Sequence, residues 1–376
     1  MLDKSIPYNE IPLISSIQIE ETRSLQKLAE DTRVAIELLN YAVDTLPSPS
    51  ILIDTLSLQE AKVSSNVENI VTTNDELYMG AAFNSYTAEA KEVANYKDAL
   101  FIGFERLKEK GIISLSDIEE INRPVNNKMH LIRTNLPNFQ SDLTRIANKK
   151  ANGEIEILYT PPHGKELLQK LLIDMLDYVY DDDTYLIHPL IKIALAHYQF
   201  ESIHPFRNGN GRTGRILNII FLCQKEYLSY PILYTSSYII KNKNQYYNLL
   251  QKSKETLNYT EIIEYMLNSF KHTAHKTLHI VENIKGMLAE YTNEDFINEL
   301  KGQKTLLIEM IEMIFEKVYV RNADLVKMGI HRQTAATYLD QLVDKGLLTK
   351  EKVGRDNIYK NIKLLELFEG EDKNDQ

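Results

Sequence analysis

The chain has 376 residues, long for one compact core and comfortable for two or three domains. Its 43% hydrophobic and 26% charged content excludes collagen-like, disordered and disulfide-scaffold classes, and a formal charge of −10 argues against a surface-wide nucleic-acid footprint. The single cysteine, Cys223, has no internal disulfide partner and ends the apolar run Ile219-Ile220-Phe221-Leu222-Cys223, so it reads as a buried structural thiol in a reducing compartment. The start, Met1-Leu2-Asp3-Lys4-Ser5-Ile6-Pro7, lacks a basic stretch followed by an apolar one, and no run approaches about 18 apolar residues. The expectation is a cytoplasmic protein with no membrane span.

Residues 1–20 carry Pro7 and Pro12 and read as an extended arm. From 19 to 46, Leu25, Leu28, Ala29, Ala35, Leu38, Leu39 and Ala42 recur at helical spacing, and Pro47-Ser48-Pro49 breaks the helix. A second helix is expected over about 58–71 and a third over 88–110, stopped by Gly111; Ser114-Leu115-Ser116-Asp117 looks like the next start. The stretch 133–160 holds Pro137, Asn148, Asn152 and Gly153, then the alternation Glu154-Ile155-Glu156-Ile157-Leu158-Tyr159, which predicts a small β-hairpin closed by Pro161-Pro162. Helices resume over 165–180 and over 190–203, the latter opened by Pro189 and apolar nearly all round, the mark of a buried central helix.

After about residue 300 the pattern changes: a helix over 306–315, a short one from Asn322, another over 333–345 ending at Gly346, then two strands about Gly354. Two helices about a glycine turn and then a hairpin predict a winged helix. Residues 319–363 hold nine Lys/Arg against five Asp/Glu, so this segment is +4 while the rest is −14. Such a module is a candidate DNA binder through Arg332, Gln333, Thr334 and Thr337, although the excess is small and winged helices also dock proteins. Residues 369–376 read as a polar tail.

The informative segment is His204-Pro205-Phe206-Arg207-Asn208-Gly209-Asn210-Gly211-Arg212-Thr213-Gly214-Arg215. Pro205 ends the buried helix and leaves His204 facing a loop. Gly209 and Gly211 let that loop aim its amides at one point, and a new helix starts near Arg212. Amides at a helix start, together with the dipole, favour phosphate, and the Arg212 and Arg215 guanidiniums match phosphate oxygens. An imidazole beside such a cradle, with no Ser or Cys partner nearby, points to a general base for an incoming hydroxyl, hence phosphoryl or nucleotidyl transfer.

This segment resembles the Fic motif, HPFx[D/E]GNGRxxR, at every specified position but one. The likeness extends to Ala194-Leu195-Ala196-His197-Tyr198-Gln199-Phe200-Glu201, to Tyr159-Thr160-Pro161-Pro162, to Tyr246-Tyr247 and to Tyr8-Asn9-Glu10-Ile11-Pro12, about residues 5–275 in all. The resemblance implies a mostly α fold: an N-terminal helical region with an inhibitory helix (1–110), a Fic-type core with a hairpin flap (111–280), and a linker helix with a winged helix-turn-helix domain (281–368). It further implies transfer of AMP from ATP to a Ser, Thr or Tyr hydroxyl of a target protein, with His204 as base. Asn208, Gly209, Asn210, Gly211, Arg212, Thr213, Gly214 and Arg215 would hold the nucleotide, and Tyr246 would lie near the adenine. Glu156, Ile157, Leu158 and Tyr159 would dock the target by strand addition. A homodimer is implied by the same likeness. Two other functions stay open: a transcriptional regulator whose core only senses nucleotide, and a transferase using another nucleotide or a phosphocholine carrier.

The departure is Asn208, a neutral amide where the family places the acidic Mg²⁺ ligand; weaker metal binding is expected. Ser64-Ser65-Asn66-Val67-Glu68-Asn69 resembles the inhibitory signature [S/T]xxxE[G/N]. By that likeness Ser64, Glu68 and Asn69 form a brake in which Glu68 pairs with Arg215, whereas spacing alone makes Glu68 a solvated charge on a helix face.

Overall fold

The computed structural model describes residues 3–126, 144–149 and 153–373. The expected start of the hairpin region, with Pro137 and Asn152, lies outside the described residues. The fold is mostly α, with one two-stranded and one three-stranded antiparallel sheet. Two compact units form: Met1–Glu37, Glu60–Val71 and Glu92–Ala274 make the first, and Leu38–Gln59, Thr72–Lys91 and His275–Gln376 the second.

The chain opens with an arm carrying a single 3-10 turn, Ile14–Ser16, followed by α1 (Arg23–Asp44) and α2 (Ser50–Val67). The second helix therefore starts earlier and ends sooner than its apolar pattern suggests. Its end is set by Asn69, which takes φ +65, the left-handed conformation that stops helices, while the Ile70 amide donates to the Ser65 carbonyl at 3.0 Å. A short helix, α3 (Asn74–Phe83), follows unanticipated; Thr73 and Glu76 form a reciprocal capping box at its start. Then come α4 (Ala88–Lys110), closed by Gly111 at φ +75, and α5 (Leu115–Asn126), begun where Asp117 accepts from the Ser114 amide at 2.8 Å.

In the first unit, β1 (Ile146–Lys149) pairs with β2 (Ile155–Tyr159), with Ile146 opposite Tyr159 and Lys149 opposite Ile155. Next are α6 (Lys165–Tyr180), α7 (Pro189–Ile203), α8 (Asn210–Gln224), α9 (Ser236–Lys241), α10 (Lys243–Thr256) and the long α11 (Thr260–Thr292). As its composition predicts, α7 is buried on all sides: Leu190, Ile191, Ile193, Ala194 and Leu195 are inaccessible to solvent. It packs against α6, whose Leu168, Leu171, Leu172 and Met175 are likewise inaccessible to solvent, and against α8, whose Asn218 contacts His197 at 3.0 Å. Gly214 permits that second contact, because a Cβ there would lie 2.9 Å from Glu201 Oε1 and 3.0 Å from Phe200 Cδ1. The arm is tied down by Tyr8, whose amide donates to the Thr160 carbonyl at 3.0 Å, and by Gln199, which donates to the Pro12 carbonyl at 2.9 Å. Cys223 is buried, and burial pushes its thiol up, away from thiolate chemistry.

The second unit contains α12 (Glu294–Glu299), α13 (Lys304–Glu316), β3 (Tyr319–Arg321), α14 (Asn322–Lys327), α15 (Arg332–Asp344), β4 (Leu348–Val353), β5 (Asp356–Asn361) and α16 (Ile362–Lys373). The two helices and the hairpin lie where the pattern puts them, Gly354 turning at φ +60 between β4 and β5; β3 adds a third strand in the order β3-β5-β4. Leu325, Ala335, Leu339, Leu342 and Ile358 close the core. The last helix, α16, continues to Lys373, into the segment expected as a polar tail. No described helix is long and apolar enough to cross a membrane.

A positive φ at Asn69 predicts a specific tolerance. Asn69→Gly is expected to be neutral, whereas Asn69→Ala is expected to cost about 1 kcal/mol in urea melts followed by circular dichroism.

Candidate functional site

His204 is the C-cap of α7, at φ +48 and ψ +58, with its amide donating to the Phe200 carbonyl at 2.9 Å. Because Pro205 follows, the chain leaves α7 sharply there, and the half-buried imidazole stands at the rim of the next loop. Phe206 is inaccessible to solvent and faces Phe200 with ring centroids 6.5 Å apart. Asn210 locks the loop reciprocally: its Oδ1 accepts from the Phe206 amide and its Nδ2 donates to the Phe206 carbonyl, both at 2.8 Å. The Asn210 side chain thus serves the loop itself, where a phosphate-facing role was expected. Gly209 is N-cap of α8 at φ +72, and a Cβ there would come within 2.7 Å of Val125 Cγ1, so both conformation and space require glycine.

The loop rests on α5. Asn122 Nδ2 donates to the Asn208 carbonyl at 3.2 Å and to Thr213 Oγ1 at 3.0 Å, and Asn126 Nδ2 reaches the same carbonyl at 3.4 Å. Asn122 went unnoticed as a site residue, although an asparagine among the core-facing Ile118, Ile121 and Val125 was a readable signal. The Asn208 side chain is exposed.

At the start of α8 the two arginines turn inward; Arg212 is 3% and Arg215 2% exposed. Glu68, just past the end of α2, reaches both. Its Oε1 accepts from the Arg212 amide at 3.0 Å and from Arg215 Nη2 at 3.3 Å, and its Oε2 accepts from Arg212 Nε at 2.9 Å. The expected partner was Arg215 alone; the shorter contacts are to Arg212. Gly211 makes room, since a Cβ would sit 2.9 Å from Glu68 Oε1 and from Arg215 Nη1. Ser64 holds Arg215 from the same helix, with Oγ accepting from Nε at 2.8 Å and the carbonyl from Nη2 at 2.9 Å. Asn69 touches neither arginine through any hydrogen bond described; its part is the left-handed turn that aims Glu68.

Tyr246 does not present a face for a base. It is 2% exposed, its hydroxyl lies 2.8 Å from His197 Nε2, and Asn218 contacts the other ring nitrogen at 3.0 Å. Burial, then the nearby Arg215 charge, pull the His197 imidazole down to about 3, so this histidine is neutral core. In the hairpin, Ile155 and Glu156 are exposed, Ile157 and Leu158 half-buried, and Tyr159 buried, its hydroxyl donating to the Ser202 carbonyl at 2.8 Å. The hairpin is thereby pinned two residues before His204, with β2 bordered by β1 alone among the described residues. Arg332, Gln333 and Thr337 are exposed at the start of α15, and Thr334 is half-buried. Lys345, Lys350 and Lys360 each pair with an acidic side chain of their own unit, Glu299, Asp340 and Asp75, which weakens the basic field expected there.

Two further carboxyls line the arginine side. Glu60 is buried against the Tyr96 and Ser236 hydroxyls; burial first, opposed by those bonds and Arg215, pushes it up to about 7. Burial likewise raises Glu201, whose Oε1 lacks a hydrogen-bond partner among the described residues, to about 7. A carboxyl whose folded value exceeds its ordinary 4.5 stabilises the fold below that value, and loses this contribution as pH climbs to about 7. Glu60→Gln is therefore expected to flatten the loss of stability between about pH 5 and pH 8 in urea melts; equal slopes for both proteins would refute a protonated Glu60.

Comparison with known proteins matches residues 26–105 to the Fic/DOC family N-terminal domain, residues 113–222 to the Fic/DOC family domain, and residues 288–364 to the C-terminal domain described as protein adenylyltransferase SoFic-like. Among curated relatives, the protein adenylyltransferase fic-1 of Caenorhabditis briggsae is 31% identical over 116 residues, 31% of this chain and 20% of that protein. The protein adenylyltransferase Fic of Aedes aegypti is 24% identical over 237 residues, 63% of this chain and 40% of that protein. These matches thus span one to two fifths of those relatives' length. A Fic family protein structure from Desulfovibrio desulfuricans G20 superposes with TM-score 0.54 at 17% identity, covering 92% of this chain and 98% of that one. Residues 134–508 of Caenorhabditis elegans Fic-1 give TM-score 0.52 at 19% identity, covering 69% of this chain and 75% of that one. A Fic-type fold, a loop of the family's pattern and matches to the family's N-terminal and Fic domains converge: this chain is a member of the Fic family with the family's N-terminal segment.

Proposed function

We propose that this protein is an adenylyltransferase that moves AMP from ATP to a hydroxyl side chain of a target protein, and that Glu68 holds it inactive. The observation that carries this is a carboxylate seated on the Arg212 amide and on both Arg212 and Arg215 at the first turn of α8. An amide at a helix start and two buried guanidiniums form an anion site, and an internal carboxylate occupying it stands in for phosphate oxygens. Relatives named protein adenylyltransferase support the choice of AMP as the transferred group.

In the released enzyme, Arg212 and Arg215 exchange Glu68 for the outer phosphates of ATP, and main-chain amides of the loop face the inner ones. His204 accepts the proton of a Ser, Thr or Tyr hydroxyl delivered along the edge of β2 that faces away from β1. That oxygen attacks the α-phosphorus; the new P–O bond forms as the bond to the bridging oxygen breaks, and pyrophosphate leaves with its electron pair. The product is a phosphodiester of AMP on the target.

The family likeness implies Mg²⁺, but the chain's donor at that place is the exposed neutral amide of Asn208, and no cluster of three His, Cys, Asp or Glu occurs among the described residues. These residues do not make a protein-held divalent site.

Incubation with ATP labelled at the α-phosphate and a cell lysate tests the proposal. Glu68→Gly is expected to raise protein labelling at least about tenfold, and His204→Ala to remove it in either background by about 10² or more. Labelling unchanged by Glu68→Gly would remove the brake; labelling that survives His204→Ala would remove the base. Asn208→Asp is expected to raise labelling severalfold when Mg²⁺ is limiting and little when it is saturating.

A further inference from the structure

Arg212 is gripped from two sides. Glu68 takes Nε, on one edge of the guanidinium. On the far side, Nη1 donates to Glu92 Oε1 at 3.2 Å and to the Val125 carbonyl at 3.1 Å. Nη2 makes no hydrogen bond among the described residues. Glu92 lies in the first turns of α4, Val125 on α5, and neither belongs to the segment that carries Glu68. Nothing in the motif points to Glu92, and its side chain is about one third exposed, at 36%.

A guanidinium offers five N–H groups in a rigid plane, and its best face for a phosphate is the pair formed by Nε and the neighbouring Nη. Contacts that fix Nη1 leave that Nε–Nη2 edge as the one exposed when Glu68 withdraws. Arg215 has an equivalent holder, Ser64, through Nε and Nη2, but Ser64 sits four residues from Glu68 on the braking segment itself. The two arginines therefore differ: what orients Arg215 is tied to the brake, and what orients Arg212 is independent of it.

We infer that Glu92 is a positioning residue that holds Arg212 with its Nε–Nη2 edge toward the phosphates of the nucleotide once Glu68 has left. The inference rests on the nucleotide-transfer proposal above and extends it to a residue outside the motif. Glu92 touches no reacting atom; it acts through Arg212. Its carboxylate also offsets part of the charge that two buried arginines and a helix start place in one turn.

The test uses the full chain carrying Glu68→Gly, with Glu92 intact, Glu92→Ala or Glu92→Gln, and reads ATP affinity by calorimetry beside the KM and kcat of labelling. With Glu92→Ala, the Kd and KM for ATP are expected to rise about tenfold, the scale of one hydrogen bond to a charged group, with kcat changed less. Glu92→Gln keeps the acceptor oxygen and is expected to restore most of that loss; melting temperatures verify that all three proteins fold. An unchanged or tighter ATP affinity for Glu92→Ala overturns the positioning role, tighter binding making Glu92 a second brake instead. If Glu68→Gly with intact Glu92 binds no ATP at all, the nucleotide-transfer proposal fails, and this inference fails with it.

Discussion

Two guanidiniums and the positive end of a helix converge within one turn at the start of α8, and Arg215 is almost wholly removed from water there. Such a cluster is unstable without a facing anion, because a buried cation stripped of its partner costs several kcal/mol. Glu68 supplies that anion in this structure, reaching one amide and two side chains with a single carboxylate. A phosphate oxygen could supply it as well, but not at the same place and time. Competition between the internal carboxylate and a phosphate follows from electrostatics, so in the proposed enzyme restraint and substrate binding are two occupancies of one site.

The surrounding fold serves this constraint at close quarters. Gly209, Gly211 and Gly214 recur within six residues for three different reasons: a left-handed N-cap pressed on Val125, an approach path for Glu68, and contact between α7 and α8. Asn210 and Asn122 then fix the loop from inside and from beneath. Since α7 is buried on every face, the imidazole at its end is placed by a rigid element rather than by a mobile loop.

Buried carboxyls extend the same logic. Glu60 and Glu201 lie near Arg215 yet are pushed up to about 7, so desolvation outweighs the attraction of the guanidinium for both. Carboxyls raised in this way carry less negative charge near neutral pH than ordinary ones, and so leave more of the arginine charge available to an anion from outside. Had they ionised easily, the cluster would already be neutralised from within.

Much of this was legible in order along the chain. Apolar spacing marked α1, α4, α6 and α7 to within a few residues; Pro189, Gly111 and Gly354 marked starts and turns; and the twelve residues from His204 to Arg215 specified the loop by glycine, proline and arginine chemistry that acts locally. The end of α2 was misjudged because an asparagine in the left-handed region outweighed continuing apolar spacing, and α3 was missed because its capping box lies in a short, mixed segment. The burial of Tyr246 against His197 is likewise visible only in the tertiary structure. What the sequence determined by itself was the set of groups that can bind a phosphate and take a proton, since those depend on residue type and near-neighbour spacing. Which groups Glu68 grips, that Glu92 contacts Arg212, and that burial raises Glu60 were decided by the tertiary structure alone. Those outcomes depend on contacts between residues tens to more than a hundred positions apart and on exclusion of water, neither of which is encoded in any local pattern.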